Sequence, residues 1–599
     1  MLTARSALSV LFAYNAAAAT AAQPLDSTCS LNPKTANNIP TTRDNANSSR
    51  SSATTCVTNN GLDPASFDPP LYTESVRPQI HFSPSSGFMN DPNGLVKSGD
   101  TWHMYFQYNP NDTVAGFQHW GHATSKDLYT WQNHPPAIEP ESEDEGIFTG
   151  SAVLDVNNTS GFFDNSTPPE SRFVAIYTLN TPTDQNQNVA YSTDGQNYVK
   201  YSQNPVISRN TTQFRDPQVT WDAHTHKWVM TVAFSQDYSV AFFTSNNLKD
   251  WTEASRFHLY GILGYQYECP NLVKIKRQGG PKDGQDAYIL IISINPGAIQ
   301  GGSETQYFIG EFDGAKFIPD DPAPRPAHFA KEFYAPQAFY NAPADGPPVL
   351  VGWASNWQYT NSVPTSPYRG IFTVAREMHL VYHEYNPMFS GYSLAQTPYS
   401  YATSEAVKSN VLFDENGLSD NQTQSLDGDG AFDIQAQFSI PFNETAPVRG
   451  QLRVDDQSGS SYLLVGFELA EPVNIYVDRR FAGRDWADTN VYFTDRFSAA
   501  VQPLVQDDGN DYLSYNRTSL SGTAREVINL RLMVDRTVTE VFAQNGLATA
   551  VASTFWDGDG KPSNLKVGWY NPGSADGSSA MRLDSLKITA IGSTWPSCP

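Results

Sequence analysis

The chain has 599 residues, more than one ordinary hydrophobic core accommodates, so about two or three domains are expected. Its formal net charge of −24 argues against nucleic acid or an anionic membrane as a partner, since both select clustered Lys and Arg, and favours an uncharged ligand. With 12 Trp and 30 Tyr and few helix-forming runs, the composition points to β structure.

Residues 1–22 read as a secretory signal: Arg5 precedes an apolar run from Ala7 to Ala19, and Ala19-Thr20-Ala21 offers small residues for cleavage near Ala22 or Gln23. The run is too short to span a bilayer and no later segment is long enough, so a soluble protein, secreted or held in a cell wall, is expected. Asn-x-Ser/Thr triplets at Asn47, Asn111, Asn158, Asn165, Asn210, Asn421, Asn443 and Asn516 agree with a glycosylated product. Residues 23–70 are rich in Ser, Thr and Asn with little to bury, the composition of a disordered or O-glycosylated extension. Cys29, Cys56 and Cys598 allow at most one bridge, either Cys29 with Cys56 or one of these with Cys598, and the sequence does not choose. No His and Cys spacing resembles a zinc site, so neither a metal nor another cofactor is expected.

The folded part is expected from Leu71. Residues 101–108 alternate, with Trp102, Met104 and Phe106 on one face and His103, Tyr105 and Gln107 on the other. Similar strands are predicted at 173–178, 227–234, 240–244, 288–294 and 349–353. Between them a polar turn closed by an aromatic recurs: Ser125-Lys126-Asp127-Leu128-Tyr129-Thr130-Trp131, then Ser192 to Tyr198, then Ser245 to Trp251, with a looser copy from Glu311 to Phe317. Repeated hairpins of this kind suit stacked blades, because one blade alone cannot bury both its faces. The spacing gives residues 71–400 room for about five blades, and a five-bladed β-propeller is predicted. Residues 410–599 alternate again, at 451–454, 461–469, 473–477, 530–534 and 537–542, punctuated by Asp427-Gly428-Asp429-Gly430 and Asn545-Gly546. A C-terminal β-sandwich is predicted there, making the fold all-β.

Three carboxylates carry the candidate chemistry. Asp91 lies in Asn90-Asp91-Pro92-Asn93-Gly94, read as a turn just ahead of a strand, where Pro92 restrains it. Asp216, in Phe214-Arg215-Asp216-Pro217, is again held in an extended setting before a proline, beside an Arg that would favour an ionised neighbour. Glu268, in Tyr265-Gln266-Tyr267-Glu268-Cys269-Pro270, is flanked by aromatics whose desolvation suits a proton donor. In a propeller these three can converge on the central funnel, and two carboxyls about 5 Å apart would make a retaining glycosidase.

These motifs resemble those of glycoside hydrolase family 32, whose similarity runs from about His81 to Arg376 and includes Trp102 to Pro110, Trp120 to Ser125 and Ile292 to Gly297. In the sandwich, Val534-Asp535-Arg536 with Glu540-Val541-Phe542 is similar to a segment common in the family. The resemblance implies a β-fructofuranosidase acting on a small-molecule sugar such as sucrose or fructo-oligosaccharides. Asp91 would be the nucleophile, Glu268 the general acid and base, and Asp216 the transition-state stabiliser. Asn90, Gln107, Phe148, Ser151 and Arg215 would hold the fructose hydroxyls or shape their pocket, and Cys269 would be a packed, reduced thiol. A homo-oligomer built through the sandwich is left open. The sequence departs from the family at Phe88 and Tyr368, where Trp is usual, at Ala115, where yeast members carry Trp, and at Glu332, where Asp is usual. A lost indole would open room for a sugar acceptor, so hydrolysis with fructosyl transfer is expected. The alternatives are a fructosyltransferase or exo-fructanase on the same site, and an inactive sugar-binding protein, which the presence of all three acids disfavours.

Overall fold

The computed structural model describes residues 72–595 apart from 344, 387–388, 419–420, 443–447, 470–472, 508–509, 513–522, 559 and 571–580, all within one compact unit, Val57–Pro599. The expected signal, the 23–70 extension and Cys29, Cys56 and Cys598 lie outside the described residues. The described chain is almost entirely β; its one α-helix is the four-residue Arg484–Ala487. No described helix is long and apolar enough to cross a membrane.

The N-terminal region is a succession of antiparallel four-stranded meanders, each built in chain order. The first runs Gly87–Ser98, Thr101–Asn109, His119–Ser125 and Trp131–Ile138, and the second Gly146–Leu154, Phe173–Asn180, Gln185–Ser192 and Val199–Lys200. The third comprises Phe214–Asp222, Lys227–Phe234, Ser239–Ser245 and Trp251–His258, and the fourth Tyr267–Gln278, Asp286–Ile294, Glu304–Phe312 and Phe317–Pro319. The fifth, Tyr334–Ala338, Val349–Trp353, Arg376–Asn386 and Phe389–Pro398, joins the fourth through a short parallel pairing at Arg277 and Leu380.

The recurring polar turn has a local cause. In each of the first three meanders it links the third strand to the fourth. Asp127 Oδ1 accepts from the N–H groups of Tyr129 and Thr130, Asp194 Oδ1 from those of Gln196 and Asn197, and Asn247 Oδ1 from those of Lys249 and Asp250. The looser copy does the same through Asp313. Each side chain thus satisfies backbone donors that the reversal would otherwise leave open. The closing aromatic then begins the fourth strand or directly precedes it.

The first strand of each meander contacts the first strand of the next, and that of the fifth contacts that of the first, so five inner strands close a ring. Polar side chains stitch it: the Gln337 amide donates to Gly150 O at 3.0 Å while its oxygen accepts from Leu95 N–H at 2.9 Å, joining three meanders. Tyr368–Arg369, between the second and third strands of the fifth meander, pairs in parallel with Gly87 and Phe88 and ties the fifth meander to the first. Both faces of Thr101–Asn109 are buried, Trp102, Met104 and Phe106 in one cluster and Tyr105 in another. Alternation therefore separates two packed interfaces, not core from solvent.

The C-terminal region consists of an eight-stranded and a six-stranded sheet sharing one core. Phe432, Ile434, Ala436, Phe438 and Ile440 of the first meet Leu452, Val454, Leu463, Val465 and Phe467 of the second, the period-2 pattern of half-buried strands. The sequence pattern left out Ala431–Pro441, Asn564–Tyr570 and Arg582–Ile591, and the Asp427–Gly430 turn leads into the first of these, not into 451–454. Asn545-Gly546 connects Val538–Ala543 to Ala548–Ser553 as a hairpin. Gly546, at φ 87°, leaves no room for a Cβ, which would lie 2.1 Å from the Gln396 carbonyl of the N-terminal region.

Candidate active site

All five inner strands carry a bulge close to their N-terminal ends, so the disturbances face one end of the ring. Two residues oppose one at Asn90-Asp91, Asp216-Pro217, Cys269-Pro270 and Ala335-Pro336, and Thr149 is the extra residue in the second strand. Proline lacks an N–H, so it suits positions where the ladder is interrupted. Asp216, Cys269 and Ala335 adopt left-handed backbone, with φ of 65°, 48° and 48°.

Two local expectations are corrected here. Asp91 does not sit on a turn ahead of a strand: Asn90 to Gly94 lie inside Gly87–Ser98, and Gly94, at φ 51°, makes a further irregularity in place of a chain reversal. Asp216 is not extended: Pro217 bars the right-handed helical region, and the bulge takes the left-handed one.

The bulges bring the three acids together around Cys269. Its Sγ lies 3.3 Å from Asp91 Oδ2 and 3.5 Å from Asp216 Oδ2, and its N–H donates to Asp216 Oδ2 at 2.9 Å. Asp91 is held from both sides, by the Asn90 amide on Oδ1 at 3.0 Å and the Thr149 hydroxyl on Oδ2 at 2.8 Å. Glu268 Oε1 accepts from Arg215 Nε at 3.2 Å and Nη2 at 3.0 Å and from the Gln266 amide at 3.2 Å, while the Tyr334 hydroxyl donates to Oε2. Gln185 and Gln213 hold Arg215 Nη1.

Arg215 thus meets Glu268, not the adjacent Asp216. The aromatics flanking Glu268 also turn away: the Tyr267 hydroxyl is bonded to Tyr260 O, and Tyr265 is exposed. Glu268 itself is mostly buried, its side chain 15% exposed, and Asp91 and Asp216 are buried more deeply still. Burial pushes the Asp91 carboxyl up and the charge of Glu268 adds to the effect, against the Asn90 and Thr149 hydrogen bonds. Burial likewise lifts Asp216 to about 7, with Glu268 and Asp91 reinforcing and Arg215 opposing. Burial raises the Cys269 thiol well above its ordinary range, so it remains a neutral, free thiol that donates between two carboxyls.

Residues 81–398 match the glycosyl hydrolases family 32 N-terminal domain, and residues 397–589 match the glycosyl hydrolases family 32 C terminal domain. The chain belongs to glycosyl hydrolases family 32. It is 39% identical over 544 residues to the invertase of Schizosaccharomyces pombe, covering 88% of this chain and 86% of that one. It is also 39% identical over 496 residues to the extracellular exo-inulinase of Meyerozyma guilliermondii, covering 82% and 91%. The fructofuranosidase of Schwanniomyces occidentalis, solved with fructose, superposes with a TM-score of 0.77 at 34% identity, covering 88% of this chain and 100% of that chain.

In this family 32 enzyme, Asn90 and Arg215 touch acids directly, on Asp91 and Glu268. Two other expected sugar-binding residues are tied to backbone: the Gln107 amide donates to Ile147 O at 2.9 Å, and the Ser151 hydroxyl accepts from Val219 N–H at 2.9 Å. Phe148 is partly exposed beside Thr149, and its carbonyl accepts from Trp120 Nε1 at 3.0 Å. Of the departures, Phe88 is buried against Trp353 and Trp357, and the Ala115 N–H donates to Asn361 Oδ1. Tyr368 lies beneath the Arg77 guanidinium, and Glu332 pairs with Arg479 of the C-terminal region. Neither touches an acid of the cluster.

Thr149, Gln266 and Tyr334 contact the acids and were not singled out from the sequence. One signal was available for Tyr334. Ala335-Pro336 repeats the residue-plus-proline step of Asp216-Pro217 and Cys269-Pro270, marking an inner-strand bulge.

Proposed function

We propose that the enzyme is a secreted, retaining β-fructofuranosidase that releases terminal β-D-fructofuranosyl units from sucrose and short fructo-oligosaccharides. The observation that supports it best is the convergence of Asp91, Asp216 and Glu268 on Cys269, with Asp91 held by two neutral donors and Glu268 by a cation and a hydroxyl. Asp91 attacks the anomeric carbon as the bond to the leaving oxygen breaks, and Glu268 gives that oxygen its proton. Water then attacks the glycosyl–enzyme, Glu268 takes its proton, and the bond to Asp91 breaks with net retention. Asp216, poised near neutrality, offers hydrogen bonding to sugar hydroxyls as positive charge develops on the ring. Asn90, Gln107, Phe148, Ser151 and Arg215 complete the pocket, directly or by fixing its walls.

We further read residues 71–400 as a five-bladed β-propeller catalytic domain and 410–599 as a β-sandwich. The closed ring of five inner strands and the single core shared by two sheets support this division. Residues 1–22 are read as the signal peptide and 23–70 as an extension. Asn111, Asn165, Asn210 and Asn421 are exposed, as glycosylation requires.

A second reading, with transfer of fructose to another sugar, is favoured by the small Ala115, which packs against the buried cluster that includes Phe88. Product analysis on sucrose at low and high concentration separates the readings. Equal glucose and fructose, lost in Asp91→Ala, supports hydrolysis at this site. Glucose in excess at high sucrose supports transfer, and an active Asp91→Ala variant refutes the assignment.

A further inference from the structure

Residues 331–335 run from the C-terminal region to the acid cluster. At the start of this run, the Lys331 ammonium donates to Tyr492 O at 2.7 Å. Glu332 is fully buried and its Oε1 lies 2.8 Å from Nη2 of the equally buried Arg479, in Val473–Phe481. Arg479 is fixed in turn: Nε donates to Thr494 O at 2.8 Å, Nη1 to Ser553 O at 3.2 Å, and the guanidinium sits 3.7 Å from the centre of the Phe493 ring. At the other end, the Tyr334 hydroxyl is on Glu268 Oε2, and the Ala335 N–H donates to Ser293 Oγ, the residue paired across the hairpin from Glu268. Between them, Phe333 packs against Gly352, where a Cβ would come within 2.5 Å of its ring, and its carbonyl accepts from the Thr305 hydroxyl. The segment therefore has little freedom to slide between its two anchors.

We propose that the Glu332–Arg479 pair is a positioning device, through which the C-terminal region holds the Tyr334 hydroxyl against Glu268 and sets how readily that carboxylate takes and gives its proton. The proposal rests on Glu268 being the acid and base. A buried ion pair adds little net stability compared with apolar packing, because desolvation of both charges offsets their attraction. What it does provide is a fixed separation. Glu332 stands where the resemblance led us to expect Asp, and a side chain one methylene shorter, about 1.5 Å, would reach Arg479 only by dragging the segment, and Tyr334 with it.

The groups facing Glu268 are Arg215 and Gln266 as donors, Asp91, Asp216 and Cys269 as neighbours in the cluster, and Tyr334. Tyr334 is the one tied by sequence to Glu332. A hydroxyl donated to a carboxylate favours the ionised form. Its loss keeps the acid protonated to higher pH.

The test is the pH profile of kcat/KM on sucrose, with folding followed by near-UV circular dichroism. Tyr334→Phe should move the alkaline limb up by about 1 pH unit, the size of a hydrogen bond to a charged group. Glu332→Gln combined with Arg479→Met should move it the same way by about half that, and adding Tyr334→Phe should take it no further than Tyr334→Phe alone. Should the double variant not fold, Glu332→Asp keeps the charge and is expected to shift the limb upward as well. A folded double variant, or Glu332→Asp, with the wild-type limb overturns the proposal while leaving Glu268 as acid. If Tyr334→Phe leaves the limb in place, the proposal likewise falls, with Arg215 and Gln266 as the donors that then set the carboxylate; if Glu268→Gln stays fully active, the acid–base reading itself fails.

Discussion

The contact most open to a quantitative test is His81, buried where the two regions meet. Its Nδ1 is 2.9 Å from Asp535 Oδ2 and its Nε2 is 3.0 Å from Glu540 Oε1. A neutral imidazole has one N–H and would leave one carboxylate facing a lone pair, so this geometry requires the imidazolium. Burial alone would lower its proton affinity, but the hydrogen bonds to the two carboxylates prevail and raise it from 6.5 to about 9. Because the folded value lies above the unfolded one, the stabilisation is complete below pH 6.5 and is lost as pH rises through about 9. A rise of that size corresponds to about 3 kcal/mol. An unfolding entropy of about 2.1 cal/mol/K per residue over roughly 500 folded residues gives about 1 kcal/mol/K, so the loss should appear as about 3 °C in Tm. Thermal unfolding of wild type and His81→Gln at pH 6 and pH 9.5 checks this. The wild type should lose about 3 °C more than the variant across the interval. Equal losses would refute the charged His81 and the interface built on it.

Three further outcomes are expected. Asp91→Asn and Glu268→Gln should each lower kcat on sucrose at least about a thousandfold without loss of fold, measured by glucose release and circular dichroism. Asp216, raised by burial to about 7, costs stability as pH climbs from its ordinary range through that value, so Asp216→Asn should melt higher than wild type at pH 8, match it at pH 4, and turn over sucrose more slowly; a lower melting temperature at pH 8 would contradict the buried carboxyl. Ala115→Trp should reduce the excess of glucose over fructose at high sucrose, and an unchanged ratio would remove the acceptor-space argument.

Much of the molecule was legible before its structure. The strands at 227–234 and 349–353 follow from short, largely apolar runs bounded by polar or turn-forming residues, because such signals act over a few residues and need no distant partner. The polar turns were equally local, each an Asp or Asn side chain bonded to its own backbone. The C-terminal strands 431–441, 564–570 and 582–591 were missed, and alternation gave no warning that both faces of Thr101–Asn109 would be covered, since burial of the second face depends on the neighbouring sheet.

By itself the sequence singled out the candidate groups: three acids, each in a short motif with a proline close behind, within an all-β chain. Only the tertiary structure decided how they face one another. Arg215 selected Glu268, 53 residues away, over the adjacent Asp216, and Cys269 joined Asp216 to Asp91, 178 residues from the thiol. Tyr334 reached Glu268 from another inner strand, and Glu332 and His81 found their partners in the C-terminal region. The reason is geometric: a bulge re-aims a side chain by an amount that local sequence constrains weakly, and which side chain it then meets is set by closure of the ring and by packing of the two regions.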